Sequence, residues 1–286
     1  MDIKENRFIF FCIVLYNQPI VSCLSFLSLL DSLSNANKLN LVNVKILLFD
    51  NSQSLENYTY CKNNQQLKNI KIEYYSLKTN VGIPKAYNYL RFSQQNANAK
   101  DWFCFFDQDT FIPLNYVDVL LASVFEYENQ VGLFVPYVKN KEVLISPSKF
   151  LFGKSFKASL EYKPIITLKN YSFINSGLTI KVDLFDSVNG YNESIFLDMA
   201  DHEFISRVKR KTSRFCLLPI TLSQNLSSIN NDYQQSIERY KIFVRDIKQL
   251  NKSSILIGNF FLTDVSNLLR LVLKFRSLQF LKIRFF

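Results

Sequence analysis

Apolar runs recur along the first half of the chain, and each one ends in polar side chains. Phe8 to Tyr16 is almost unbroken apolar sequence and reads as a buried strand, which Asn17-Gln18-Pro19 breaks. Residues 20–34 place Ile20, Leu24, Leu27, Leu30 and Leu33 at helical spacing. Val44 to Phe49 predicts a second strand ending in Asp50-Asn51-Ser52, and Ile70 to Tyr75 a third, weaker one. Pro84 suits the first turn of a helix over 84–96. Trp102-Phe103-Cys104-Phe105-Phe106 predicts a strand that runs straight into Asp107-Gln108-Asp109. Beyond it the pattern is less regular. Short apolar runs fill 131–180, punctuated by Pro136, Pro147 and Pro164. Residues 197–210 read as helical, and so does the amphipathic sequence from about Tyr233 onward.

Strands alternating with helices predict an α/β fold with a mostly parallel central sheet flanked by helices. Ligands gather at the carboxyl ends of such strands. Tyr16-Asn17, Asp50-Asn51 and Asp107-Gln108-Asp109 all fall at those ends. Residues two apart on an extended chain share a face, so Asp107 and Asp109 aim into one space. Two carboxylates so close repel unless a cation or a donor-rich ligand lies between them. A hard divalent ion that also carries a diphosphate satisfies that demand. Taken singly, each acid also reads as an ordinary turn residue. Asn80-Val81-Gly82 precedes the helix at Pro84, and a helix start presents N–H groups suited to a phosphate. Lys85 either reaches such a phosphate or faces solvent.

Composition narrows the choice. With 27 Phe and 15 Tyr among 286 residues, the chain can bury a large core and is expected to be ordered. The net charge of +10 attracts phosphates, nucleic acid or anionic lipid without choosing among them. The aromatic residues follow apolar periodicity and do not interleave with Lys and Arg, which argues against a basic nucleic-acid module. No glycine or charge follows the first strand in Tyr16-Asn17-Gln18-Pro19-Ile20, which argues against a sugar-phosphate nucleotidyltransferase. The five cysteines show no Cys-x-x-Cys pair, and His202 is the single histidine. A zinc cluster is thereby excluded and a reducing cytosol is expected. The first apolar run is too short to span a bilayer and follows mixed charges, so neither a leader nor a membrane-spanning helix is expected.

The tail has its own character. After residue 251, Lys252, Arg270, Lys274, Arg276, Lys282 and Arg284 stand against one acid, Asp264, among Leu and Phe residues that include Phe286. A basic amphipathic helix of this kind lies well on an anionic membrane; packing on the rest of the chain, or a dimer contact, is the competing reading. The chain divides accordingly into a main domain over 1–230 and an amphipathic helical extension over 231–286.

Taken together, several segments resemble the family 2 glycosyltransferases of GT-A fold, and in particular the bacterial rhamnosyltransferases. They are Ile13 to Asn17, Phe49 to Ser52, Asn80 to Ile83 with Ala86 and Asn88, Phe106 to Thr110, Asn175-Ser176-Gly177, and Gly190 to Glu193 leading through Phe196 to Glu203 and Arg207. The resemblance runs from about Phe8 to Arg245. It implies an inverting, metal-dependent hexosyltransferase that uses Mg²⁺ or Mn²⁺. Such an enzyme moves a sugar, with L-rhamnose the candidate, from a nucleotide diphosphate donor to a lipid-linked or polysaccharide acceptor. The setting implied is bacterial surface-polysaccharide assembly, O-antigen or capsule, in the cytoplasm and peripherally on the inner membrane face.

The resemblance also implies residue roles. Asp50 accepts a hydrogen bond from the nucleotide base, with Tyr16 packed nearby. Gly82 and Lys85 serve the diphosphate. Asp107 contacts the ribose or the metal, and Asp109 ligates the metal. Asp201 is the general base. Asp198 either shapes the acceptor site or caps the helix at 199–210. Glu203 belongs to the acceptor-side motif, although its spacing from Arg207 suits an ordinary ion pair. His202 is a bystander between two acids. In one respect the chain departs from its relatives: a late histidine common among them is missing, and Gln224 or Asn225 stands in its place within Leu222 to Ser228.

Overall fold

The computed structural model describes residues 7–54, 56–67, 70–151, 153–158, 160–225, 232–253 and 261–285. The first half runs β1 (Phe8–Leu15), α1 (Leu24–Asn35), β2 (Asn43–Asp50), α2 (Glu56–Asn63), β3 (Gln66–Leu67), β4 (Ile70–Ser76), α3 (Ile83–Ser93) and β5 (Trp102–Asp107). There follow β6 (Thr110–Phe111), α4 (Tyr116–Tyr127), β7 (Leu133–Asn140), β8 (Val143–Ser146), β9 (Ser148–Leu151), β10 (Lys154–Lys157) and β11 (Ile165–Thr167). Next come β12 (Tyr171–Ser172), β13 (Thr179–Lys181), α5 (Val182–Ser187), α6 (Ala200–Val208) and β14 (Arg214–Gln224). Three helices close the chain: α7 (Tyr233–Ser253), α8 (Phe261–Phe275) and α9 (Gln279–Phe285).

The large sheet has the order β11-β14-β7-β13-β5-β1-β2-β4-β3, with β6 on β14 and β8 on β7. Its strands are continuous apolar runs because helices cover both faces. Alternate residues of β1 divide between two cores. Ile9, Phe11, Ile13 and Leu15 pack with α1 and α4, while Phe10, Cys12 and Val14 pack with α3, α5 and α6. All five cysteines are buried and free, serving as small apolar residues. Register decides where the polar strand exits meet. Leu15 pairs with Asp50, and Val14 with Asp107, so the three exits foreseen in the sequence lie side by side at one edge.

Four details go beyond the sequence-based expectation. First, the mostly parallel sheet also takes in antiparallel strands. Parallel pairing links β4, β2, β1 and β5 and joins β14 to β7, but β13 runs antiparallel to both β5 and β7. Antiparallel pairing needs only tight connections, such as the one through Lys141-Glu142 between β7 and β8. Second, residues 20–34 form a 3₁₀ turn over Ile20–Ser22 before α1 begins. Third, α3 stops at Ser93, where Gln94 leaves helical geometry and its amide donates to Glu73 and to Tyr75. Fourth, α6 starts at Ala200 and not at 197, because a carboxylate from α7 holds the backbone of 196–198.

A second, three-stranded sheet of β10, β9 and β12 stands apart from the large one. The last helices make a third core, in which Ile237, Tyr240, Val244, Ile247 and Phe280 enclose Ile195 and Ala200. The extension is thus packed onto the segment that leads into α6. The boundary placed at 230/231 lies outside the described residues, as do Leu226 to Ser228 and Phe286.

Candidate active site

The centre is the end of β5. Asp107 Oδ2 accepts from Ser176 Oγ at 3.1 Å and from Gln224 Nε2 at 3.0 Å. The same Nε2 donates to Asp109 Oδ1 at 3.1 Å, so one amide bridges both acids. Strand pairing explains how: Gln224 sits opposite Thr110 in the β6–β14 ladder. Between the two sequence alternatives for the late-histidine position, Gln224 makes the contact. Ser176 completes the network, with Thr110 donating to its Oγ at 2.9 Å and its own hydroxyl in reach of Gln224 Oε1. Gln108 has a different task. Its Oε1 accepts from the Tyr16 N–H at 2.7 Å and its Nε2 donates to the Tyr16 carbonyl at 3.3 Å, tying the β1 exit to the β5 exit.

Burial, and then the neighbouring Asp109, push the Asp107 carboxyl up to about 6, against the pull of Gln224 and Ser176. Burial also raises Asp109. Without a cation this pair resists full ionisation. Among the described residues no cluster of three or more His, Cys, Asp or Glu side chains forms a metal cage. Two carboxylates do suit a hard divalent ion that keeps its remaining positions for phosphate oxygen and water. The donor set therefore fits Mg²⁺ or Mn²⁺ only with a substrate present.

The second acidic group lies at the start of α6. Asp107, Asp198, Asp201, His202, Gln224 and Arg239 line one cleft of about 570 Å³. Asp201 is near enough to Asp107 to raise its pKa. Its Oδ1 accepts the His202 N–H at 2.8 Å. Asp198 is gripped by both Nη atoms of Arg239, at 2.6 and 2.7 Å. Burial nevertheless lifts Asp198 to about 6, with Arg239 lowering it and Asp246 and Asp201 raising it. Asp198 thus shapes the cleft and does not cap α6, whose N-cap position is Met199.

Glu203 calls for a correction. Its two oxygens take Arg207 at 2.7 and 2.8 Å, and Arg207 also reaches the carbonyls of Val188 and Gly190. It is absent from the cleft wall, so the acceptor-binding expectation gives way to the ion pair. His202 is more than a bystander. Its ring meets Ser172 Oγ at 2.7 Å and Ser155 Oγ at 3.2 Å and stacks on Phe150, joining the small sheet to α6.

Tyr16 and Asp50 stand on the other side of the β1 exit. Tyr16 is 48% exposed, while Asp50 is fully buried. Asp50 lines a depression of about 200 Å³ with Asn17, Ser52 and Asn57. It already accepts from the Ser52 N–H, from Asn57 Nδ2 and from Tyr74 OH. Gly82 has a packing role that spacing did not reveal. Its φ is +85°, and an added Cβ would lie 2.4 Å from the Phe196 carbonyl oxygen. That oxygen accepts the Ile83 N–H at 2.9 Å, while Asn80 Oδ1 takes the Gly82 N–H. The Gly82 and Ile83 N–H groups at this helix start are therefore taken by protein. Lys85 is exposed beside Tyr89, Phe92 and Glu193, in a separate shallow depression.

Neither a family model nor a curated relative matches the sequence. Solved structures do match the fold. The mannosyltransferase PcManGT from Pyrobaculum calidifontis, in complex with GDP-Man and Mn²⁺, gives a TM-score of 0.58 at 12% identity, over 96% of this chain and 77% of that one. S. aureus TarS 1–349 gives 0.56 at 15% identity over 93% and 72%, and its UDP-GlcNAc complex gives 0.57 at 13% over 93% and 73%. The chain has the GT-A fold. On that GT-A framework, four contributors escaped the sequence reading: Ser176 and Gln224 in their hydrogen-bonding roles, and Arg239 and Asp246 on α7. For Gln224 the missing histidine was the signal. Arg239 and Asp246 gave none, since a charge on an amphipathic helix ordinarily faces solvent.

Proposed function

We propose that the protein is an inverting glycosyltransferase that moves a sugar from a nucleotide diphosphate donor to an acceptor hydroxyl. The observation that carries this is the shared cleft: Asp107 and Gln224 at the strand exits face Asp201 across it, with Asp109 on the same amide. The GT-A neighbours that bind UDP-GlcNAc, or GDP-Man with Mn²⁺, favour a nucleotide sugar as donor. Tyr16 and Asp50 are the candidates for the nucleotide base. Asp107 and Asp109 would hold Mg²⁺ or Mn²⁺ together with the diphosphate. Bound there, the ion supplies Lewis-acid neutralisation of the leaving group's charge.

The chain's own residues do the rest. Asp201 keeps Oδ1 on the His202 N–H and has Oδ2 to take the acceptor's proton. A base so placed contributes roughly 10²–10⁴-fold. The hydroxyl then attacks the anomeric carbon opposite the departing diphosphate, and the configuration inverts in one displacement. The Asp198–Arg239 pair fixes the wall against which the acceptor lies. L-rhamnose as the sugar, a lipid-linked or polysaccharide acceptor, and cytoplasmic assembly of bacterial surface polysaccharide complete the proposal. Peripheral attachment through the tail fits the helices, none of which, among the described residues, is long and apolar enough to cross a membrane.

A thermal-shift panel of nucleotide sugars, with and without Mn²⁺ or Mg²⁺, tests the reading, since a specific ligand stabilises the fold in proportion to its affinity and concentration. A metal-dependent rise with one donor is expected. A panel without any shift would remove the donor class. Asp201→Asn should keep the donor's shift and lose transfer.

A further inference from the structure

The C-terminal helices enclose a second cavity, of about 190 Å³, that the chemistry above does not use. Its wall joins Arg239 and Tyr240 of α7 to Asn267, Arg270 and Lys274 of α8, with Asp198 at one end. Three cations therefore meet one carboxylate in a small recessed volume, which concentrates positive potential. Arg239 is committed to Asp198. Arg270 donates from Nη2 to Asn267 Oδ1 at 2.8 Å, a neutral acceptor that leaves its charge uncompensated. Tyr240 is 1% exposed and walls the cavity, while its hydroxyl feels the Asp264–Arg284 pair. An acceptor-only anion suits the cations, because guanidinium and ammonium groups offer protons and phosphate oxygens take them.

Position narrows the choice of anion. The cavity shares Asp198 and Arg239 with the cleft of Asp201, yet Asp107 and Gln224 contribute nothing to it. It is therefore an annex of the acceptor end and is distinct from the donor's diphosphate site. Leu269 and Leu273 precede Arg270 and Lys274 on α8 and are 54% and 75% exposed. An amphiphile with its apolar chain along that leucine row would place a charged linkage at the cavity. We infer that the space between α7 and α8 is a subsite for a phosphate or diphosphate group, carried by an amphiphilic acceptor whose sugar end reaches Asp201. The last clause rests on the glycosyltransfer reading; the subsite does not.

Calorimetric titration of the full chain without divalent ions tests it. The probes are inorganic phosphate and dihexanoyl-phosphatidic acid, and the variants are Arg270→Gln, Lys274→Gln and Asp109→Ala. Circular dichroism and melting temperature verify that each variant folds. The phosphatidic acid should bind about tenfold more tightly than phosphate. Arg270→Gln and Lys274→Gln should each weaken it by about tenfold, the scale of one charge-assisted hydrogen bond. Asp109→Ala should leave it unchanged. Unaltered affinity in both tail variants would overturn the subsite. So would a changed affinity in Asp109→Ala, which would put the anion in the donor site, and equal affinity for the two probes would overturn the amphiphile. Nucleotide-sugar binding is titrated separately with Mn²⁺, so a failed donor reading shows as its loss while the phosphatidic acid still binds.

Discussion

At the scale of single residues, the Gln224 amide is the hinge of the site. It gives one donor group to two carboxylates, which holds them together although burial raises the pKa of both. Gln224→Ala should cost the metal-free fold about 1.5–3 kcal/mol by urea denaturation, the range for hydrogen bonds to charged groups. The raised acids predict a pH dependence of definite sign. Asp107 and Asp198 titrate near 6 in the fold, against an ordinary 3.8. Between those values the folded state binds more protons than the unfolded state, so stability falls as pH rises through the window and levels off above it. Melting temperature in chelator should therefore drop from about pH 4 to about pH 6, with a shallower slope in Asp107→Asn. Added Mn²⁺ should raise it most above the window, where the ligands have lost their protons. A flat profile would show that neither acid is held up. The sequence revealed the two aspartates by their spacing. It could not reveal which amide joins them, because Gln224 and Asp107 meet only through sheet pairing.

At the scale of elements, α7 is the support of the loop before α6. Asp246 is fully buried and accepts the N–H groups of Phe196, Leu197 and Asp198 at 2.8–2.9 Å. Arg239, about two turns earlier on the same helix, fixes the Asp198 side chain. Asp246→Ala would strand three backbone donors, at roughly 1–3 kcal/mol for each group left buried without a partner. The expected outcome is lower stability in urea and a larger loss of turnover than of donor affinity. Equal stability would mean that the loop holds itself. His202→Ala should likewise free the small sheet from α6, read as faster proteolysis within β9 and β10 with β5 still protected. Periodicity made α7 legible as an amphipathic helix. Its buried acid was not, since burial of a charge is set by what packs on it.

At the scale of the whole molecule, the tail has two faces. Its inner face forms the third core with Ile195 and Ala200. Its outer face leaves Leu269, Leu273, Leu278 and Phe285 exposed. Arg284 is locked to Asp264, so the basic groups available to a surface are fewer than composition suggested. Sedimentation with phosphatidylglycerol-containing vesicles is expected at about 0.1 M salt and should fade toward about 1 M, as the screening length falls from about 10 Å to about 3 Å. Retention in the supernatant at low salt would leave these leucines without a membrane role.

The amino-acid order by itself settled where the strands of the first half lie, which of them end in acids, and that helices cover both faces. Those properties follow from side chains near one another along the chain. Tertiary structure alone decided that β13 enters antiparallel, that Gly82 makes room for Phe196, and that α7 underpins the cleft wall. Each of these depends on segments tens of residues apart meeting in space, and local periodicity carries no record of such meetings.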